Sequence, residues 1–356
     1  MRVRRIEVKG LFGVFHHVIP LRMDERVTII HGPNGFGKTI LLEMINGCLH
    51  GNSAPFDRIP FDEFLLQFDN GEVITIQQKP KRRMPFVRTV LGEELDNPSQ
   101  SYHEVHTRLI QTSRLHTEST EPAAAVVKRC SDAIAAEIRK TVAHYAKRAQ
   151  ELDRTFPARV LREETIKRLT SQELADALAR QEKKRAELIS LGFLDSEEQL
   201  PTVGPINDST KLEVMSIYVH DVDEKFAVFD ELAQKLRLFV DILKSRFQYK
   251  TFGIHRERGM IFQALNGAPL PITSLSSGEQ HLIVLLYGLL FQLETNSLVL
   301  IDEPELSLHL LWQQSFLDDL LKIARLAQVD VLVATHSPDI IDAHWNLTEA
   351  LKGPDA

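Results

Sequence analysis

The stretch "HGPNGFGKT", His31 to Thr39, follows the apolar run Val27, Thr28, Ile29, Ile30 and precedes Ile40 to Leu49, where Leu41, Leu42, Ile45 and Leu49 share one helical stripe. Strand, glycine loop and helix in that order form the setting in which backbone N–H groups curl around phosphate oxygens. Gly32, Gly37, Lys38 and Thr39 fit G-x-x-x-x-G-K-[ST]. Each residue type has a reason. Glycines permit the tight loop, the following helix offers its positive N-terminus, Lys38 neutralises charge, and the Thr39 hydroxyl ligates magnesium. Asn34, Gly35 and Ile40 complete the residues expected to touch a nucleotide. A glycine turn carrying a solvated lysine is the competing reading, and the flanking strand and helix argue against it.

A second half lies far downstream. "SLVLIDEPELSLH", Ser297 to His309, opens with four apolar residues in a row, which predict a buried strand. Asp302 at its end is expected to face the phosphate loop and hold magnesium through water, and Glu303 to polarise an attacking water as general base. "VLVATHSPDII", Val331 to Ile341, predicts a further buried strand ending in His336, placed to touch the terminal phosphate and report its loss. Before both, "LSSGEQ", Leu275 to Gln280, is a serine-glycine turn opening an apolar helix, a second anion site that could serve a neighbour's nucleotide.

Around these motifs, Arg2 to Val8 alternates as a half-buried strand does. "FDNGEV" carries an Asn-Gly pair between apolar runs, a hairpin signal within a small antiparallel lobe. Val105 to Leu115 predicts another strand. The period then changes: Val126, Cys130, Ile134, Ile138, Val142 and Tyr145 predict one long helix over 122–152. Thr170 with Glu173 forms a capping box for a second helix ending near Gly192, and Val222 to Phe247 predicts a third. Ser196 to Thr210 reads as a solvated loop, and strand texture returns at Tyr249 to Leu265. The expected division is 1–115 for the first part of an α/β head, 116–248 for a helical insertion and 249–356 for the rest of the head.

Composition sets outer bounds. The chain has 356 residues, 43% hydrophobic and 26% charged, as in an ordinary globular protein of more than one domain. A net charge of -7 gives no global nucleic-acid signature. Cys48 and Cys130 are too few and too far apart for a disulfide framework or a thiolate metal site. No leader-like start or membrane-length apolar run is present, so the cytoplasm is expected, with no membrane partner. Lys79, Lys81, Arg82, Arg83 and Arg88 form a basic cluster that either contacts DNA, RNA or an acidic partner or keeps a strand edge solvated. His103 and His106 lack companion ligands. Asp221 and Asp223 sit in a helical pattern and read as surface charge.

The order "GPNGFGKT", "LSSGEQ", "LVLIDEPELSLH", "THSP" resembles ABC-type ATPases of the RecF/SMC branch, especially bacterial ATPases similar to the OLD (overcoming lysogenisation defect) family, often associated with phage defence. The resemblance implies a P-loop ABC-type ATPase head using ATP and magnesium, and a homodimer or higher assembly with two ATPs sandwiched between protomers. Ser276 and Gly278 would reach the partner's terminal phosphate, and Ser307 to His309 would line the interface. Gln111 is the choice for the glutamine that watches the metal, with Gln77 and Gln78 the alternatives. Two departures stand out: Ser277 occupies a position where transporters usually carry glycine, and His309 one where SMC-like relatives commonly carry aspartate. Some OLD-like chains continue into a TOPRIM nuclease, whereas this sequence stops at Ala356, so a nuclease or toxin effector is expected as a separate chain in a defence or DNA-maintenance complex. The nucleotide-binding subunit of a transporter and a slow ATP-dependent clamp in DNA repair are the other function classes carried forward.

Overall fold

The computed structural model describes residues 1–78, 86–90, 93–94, 105–111, 121–161, 168–195, 208–247, 249–306 and 310–353. The chain divides into two compact units, one formed by Met1–Pro122 with Ser277–Ala356 and the other by Ala123–Ser276. In the second unit the strands that follow the helices pair among themselves and pack on those helices.

The first segment contains β1 (Val3–Leu11), β2 (Phe15–Pro20), β3 (Val27–His31), α1 (Lys38–His50), α2 (Ala54–Arg58), β4 (Glu63–Phe68), β5 (Val73–Gln78), β6 (Phe86–Val90), β7 (Glu93–Glu94) and β8 (Thr107–Gln111). The middle segment contains α3 (Ala123–Leu161), α4 (Ser171–Ser190), α5 (Ser209–Ala227), α6 (Asp230–Arg246), β9 (Lys250–His255), β10 (Gly259–Ala264) and β11 (Pro269–Leu270). The last contains α7 (Ser277–Phe291), β12 (Leu298–Asp302), α8 (Leu310–Gln313), α9 (Phe316–Ala327), β13 (Asp330–Thr335), α10 (Pro338–Ile341) and β14 (Thr348–Ala350).

Two sheets build the first unit, and burial explains their textures. Among the described residues an antiparallel sheet runs β2-β1-β4-β5-β6-β7. Its strands alternate: Phe64, Leu66 and Phe68 of β4 are buried while their neighbours are partly exposed, as in a sheet with one face on a core. The "FDNGEV" hairpin joins β4 to β5, with Gly71 in the left-handed region and Phe68 N–H donating to Glu72 O at 2.9 Å. The other sheet is all parallel, in the order β14-β3-β13-β12-β8. β12 and β13 are buried at every residue, the mark of parallel strands covered on both faces. Helix α1 seals this core through Leu41, Leu42, Met44, Ile45 and Leu49. Each contributes about 1.5–3 kcal/mol of hydrophobic stabilisation before entropy is charged against it.

In the second unit, α3 packs on α5 and β10, α4 on α5, and α6 on β9. The capping box at Thr170 is formed: Glu173 N–H donates to Thr170 Oγ1 at 3.2 Å and Thr170 N–H to Glu173 Oε2 at 2.8 Å. α3 extends past the expected Leu152 and takes Pro157 inside it. Proline removes one backbone donor, and local side chains serve the carbonyls nearby. Thr155 Oγ1 donates to Glu151 O and Leu152 O, and Arg159 Nη2 to Leu152 O at 2.9 Å.

Three expectations are corrected here. The stretch from Val222 to Phe247 is not one helix. It breaks at Val228–Phe229, where the fully buried Phe229 ring turns into the core against Tyr145 and Phe193, both centroids 4.9 Å away. The apolar period runs through the break, so periodicity alone could not show it. Ser209 and Thr210 begin α5 rather than end a loop, because the Asp208 carboxylate accepts from Thr210 N–H and Lys211 N–H; residues 196–207 lie outside the described residues. Asp221 is 3% exposed, not a surface charge, and pairs with Arg159 of α3 through both carboxylate oxygens.

Candidate functional site

The parallel sheet brings the chemistry-bearing residues to one edge. β3 ends at His31 beside Thr335 of β13, and Asp302 at the end of β12 pairs in register with Ala334 of β13 and Gln111 of β8. The phosphate-loop sequence, Glu303 and His336 therefore all leave the sheet at the carboxyl ends of adjacent strands, where parallel α/β sheets form their crevices.

The loop's shape depends on two glycines. Gly35 and Gly37 have φ of 89° and 84°, and Gly37 is the N-cap of α1. A Cβ on Gly37 would sit 2.6 Å from Leu11 Cδ2, so both backbone and space exclude a side chain. Asn34 is exposed at the loop's tip, while Ile40 is half-buried in the first turn of α1. Lys38 is 5% exposed, and its Nζ donates to Gly32 O at 2.7 Å and Pro33 O at 3.1 Å. Burial pulls its ammonium below the usual lysine range, a shift that Glu303, Asp302 and Glu305 partly oppose.

Thr39 and Asp302 meet directly. Thr39 Oγ1 donates to Asp302 Oδ1 at 3.2 Å, and the aspartate is 7% exposed. Burial pushes the Asp302 carboxyl up to about 6; the Thr39 hydrogen bond restrains the rise, and the charges of Glu303 and Glu43 add to it. This donor set fits a hard divalent cation and a polyphosphate: a carboxylate and a hydroxyl converge, a buried lysine rests on loop carbonyls, and glycine amides open at a helix N-terminus. Among the described residues no separate cluster of histidine, cysteine, aspartate or glutamate could hold a metal by itself, and His106 instead approaches Glu294 at 3.1 Å.

Glu303 adopts a left-handed backbone with φ of 45°, rare for a residue with a side chain, and its N–H donates to Ala334 O at 2.8 Å. Strain of this kind, about 1–3 kcal/mol, persists where the surroundings over-determine it, and it turns Glu303 out of the β12 direction. His336 Nδ1 lies 3.6 Å from Glu303 Oε1 and 3.1 Å from Glu305 Oε1. Beside the loop, His31, Asn34, His336, Ile341 and Trp345 line much of an open pocket of about 370 Å³.

Gly278 lies in the first turn of α7, where an added Cβ would meet the Trp312 ring at 3.7 Å, and Ser276 is the last residue of the other unit. Gln111 has its backbone beside Asp302, but its side chain is outside the described residues. So are Lys79, Lys81, Arg82, Arg83, the Arg88 side chain, His103 and Ser307 to His309.

Motif reading passed over two groups next to the loop. His17 of β2 is buried and donates from Nε2 to Phe36 O at 3.0 Å, within an aromatic stack of Phe15, Phe36 and its own ring. Burial lowers its imidazole pKa. The signal was the aromatic density of "LFGVFHH", Leu11 to His17. Glu305 is the other; a second acid two residues after Glu303 was its only trace.

Comparison with known proteins gives a family and distant structural likenesses. No curated protein matches the chain. Among solved structures, an Smc head bound to the C-terminal winged-helix domain of ScpA is similar at 14% identity and a TM-score of 0.47, covering 96% of this chain and 91% of that one. The SMC head domain from Thermotoga maritima is similar at 12% identity and 0.44, covering 99% and 95%. The recombination mediator protein RecF with ATP is similar at 14% and 0.38, covering 94% and 93%. Residues 94–342, more than half of the sequence, match the family described as "AAA domain, putative AbiEii toxin, Type IV TA system", and the chain belongs to that family.

Proposed function

We propose that this protein is a magnesium-dependent ATPase whose ATP draws two copies together. The observation that carries the reading is the convergence of Lys38, Thr39, Asp302, Glu303 and His336 at the carboxyl ends of β3, β12 and β13. Lys38 exchanges the carbonyls of Gly32 and Pro33 for phosphate oxygens, and the amides of the loop around Asn34, Gly35 and Gly37 cradle the rest, with Ile40 beneath. Thr39 and Asp302 hold magnesium, Asp302 through water; the cation supplies charge neutralisation at the phosphates. Glu303 takes a proton from the attacking water, and His336 contacts the terminal phosphate. Gln111 is assigned to sensing the metal. Ser276 and Gly278 of a second copy close over the nucleotide, so each turnover needs two half-sites.

Association and release of the pair would then regulate or scaffold a separate effector, a nuclease or a toxin, in a cytoplasmic defence or DNA-maintenance complex, with nucleic acid a further partner. The motif resemblance to OLD-like ATPases supports this, and so does a family description that names a toxin of a toxin–antitoxin system. Glu303→Gln tests the core of the reading. It should slow hydrolysis by roughly a hundredfold or more while ATP still binds, and should accumulate an ATP-dependent dimer in light scattering. Normal hydrolysis by that variant would refute the assignment of the base.

A further inference from the structure

Glu305 sits in the 3-10 turn Pro304–Leu306 with its side chain 7% exposed. One oxygen, Oε1, accepts from Thr335 Oγ1 at 2.7 Å and from the backbone N–H of His336 at 3.1 Å, and lies 3.1 Å from His336 Nδ1. The other, Oε2, is buried and has no hydrogen-bond partner among the described residues. Burying a carboxylate is costly, and a neutral oxygen would cap the end of β13 as well. What a carboxylate adds is an anionic acceptor at one chosen ring nitrogen. A partner at Nδ1 decides which nitrogen carries the proton and how the ring is turned.

We propose that Glu305 is a positioning residue that holds the Nδ1 proton of His336 on its carboxylate, so that Nε2 is the atom left to meet the terminal phosphate of a bound triphosphate. The identity of that ligand rests on the ATPase reading; the proton's position does not. Glu303 is the competing partner, but its oxygen is 3.6 Å from Nδ1, and it does not also bind the main chain of His336. Because the same Glu305 oxygen is anchored on the backbone N–H of His336 and on Thr335, the acceptor stays fixed beside Nδ1, and a swing of the imidazole gives up that ring contact. When phosphate charge arrives, Nε2 takes a proton from solvent and donates it to the terminal oxygen, while Nδ1 keeps its bond to Glu305.

The test uses the full chain. Histidine ¹⁵N–¹H two-bond spectra of the nucleotide-free protein at pH 8, with the His336 signal identified from His336→Gln, should show the proton on Nδ1 and a shift toward the Nε2–H form in Glu305→Gln. That variant keeps a neutral oxygen for Thr335 and the backbone. It should bind ATP within about twofold of wild type and lose about tenfold or more in single-turnover hydrolysis, as partners that orient a functional histidine do. Combined with His336→Gln it should add no further loss, since it acts through that ring. An Nε2–H form in the wild-type protein overturns the proposal, and so does a Glu305→Gln defect of equal size with and without His336. The wild-type spectrum decides the matter even if Glu305→Gln does not fold. A wild-type protein that binds ATP but never hydrolyses it would count against the ATPase reading alone, and the spectrum would still decide the role of Glu305.

Discussion

Replacing Asp302 with asparagine should make the nucleotide-free, metal-free protein more stable while removing its response to magnesium. The carboxyl is nearly buried, and its pKa rises from 3.8 to about 6, chiefly through burial. A shift of roughly two units corresponds to about 3 kcal/mol; discounted for solvent reaching the strand end, about 1–2 kcal/mol is expected. The sign follows from proton linkage. Below about pH 4 the group is protonated in both folded and unfolded chains and costs nothing. Between about pH 4 and 6 the unfolded chain has given up its proton and the folded one holds it, so stability drains as pH rises, and the loss is complete above the folded value. Asparagine does not ionise, and its carbonyl oxygen can still accept the Thr39 hydroxyl. Urea unfolding in EDTA should therefore show Asp302→Asn ahead of wild type by about 1–2 kcal/mol at pH 8, and by roughly a third of that at pH 4.5, with similar slopes. Magnesium with ATP should raise the wild-type midpoint and leave the variant's nearly unmoved. A variant less stable than wild type at pH 8, or a gap independent of pH, would refute the claim that this carboxylate is held at a cost.

Three other perturbations follow from specific contacts. Asp221→Ala takes the carboxylate away from the partly buried Arg159 guanidinium and should destabilise the protein by about 1.5–3 kcal/mol in chemical denaturation, the loss expected for hydrogen bonds between charged groups. Gly37→Ala forces a left-handed backbone and a 2.6 Å approach to Leu11; a thermal shift should show about 1–3 kcal/mol of lost stability, and calorimetry little or no ATP binding. Burial holds the His17 imidazole pKa below its usual value, so its contribution is intact above about pH 6.5 and is lost as pH falls through the lower folded value. His17→Gln, which does not titrate, should flatten the decline in melting temperature between pH 7 and 5; an unchanged slope would show that His17 is not the group responsible.

Local chemistry was legible in the sequence where it depended on neighbours along the chain. The phosphate-loop sequence announced itself through a strand, the glycine spacing and a helix; the Asn-Gly hairpin and the Thr170 cap did so through short spacings. The runs of β12 and β13 carried enough to place Asp302, Glu303 and His336 at strand ends. What the sequence hid depends on partners distant along the chain. Asp221 reads as exposed until Arg159 arrives from another helix. Phe229 keeps the helical period through a break because its ring fills a space made by Tyr145 and Phe193. Glu305 and His17 become meaningful only once β12 and β13, or β2 and the loop, are brought side by side. The strands β9 to β11 carried strand texture, but nothing in that texture said which unit they would join.

The strand order also bears on how the molecule is made. Among the described residues the antiparallel sheet draws its strands from the first 94 residues, so it can close early on the ribosome. β3 has no such option: its two neighbours, β13 and β14, come from residues 330 and beyond. During synthesis the apolar strand that carries the phosphate loop must wait, edges unpaired, while the whole helical unit emerges between it and its partners. Long-range parallel pairing of this kind folds slowly and leaves sticky intermediates. Newly made chains should therefore depend on chaperone protection for far longer than their N-terminal sheet alone would require.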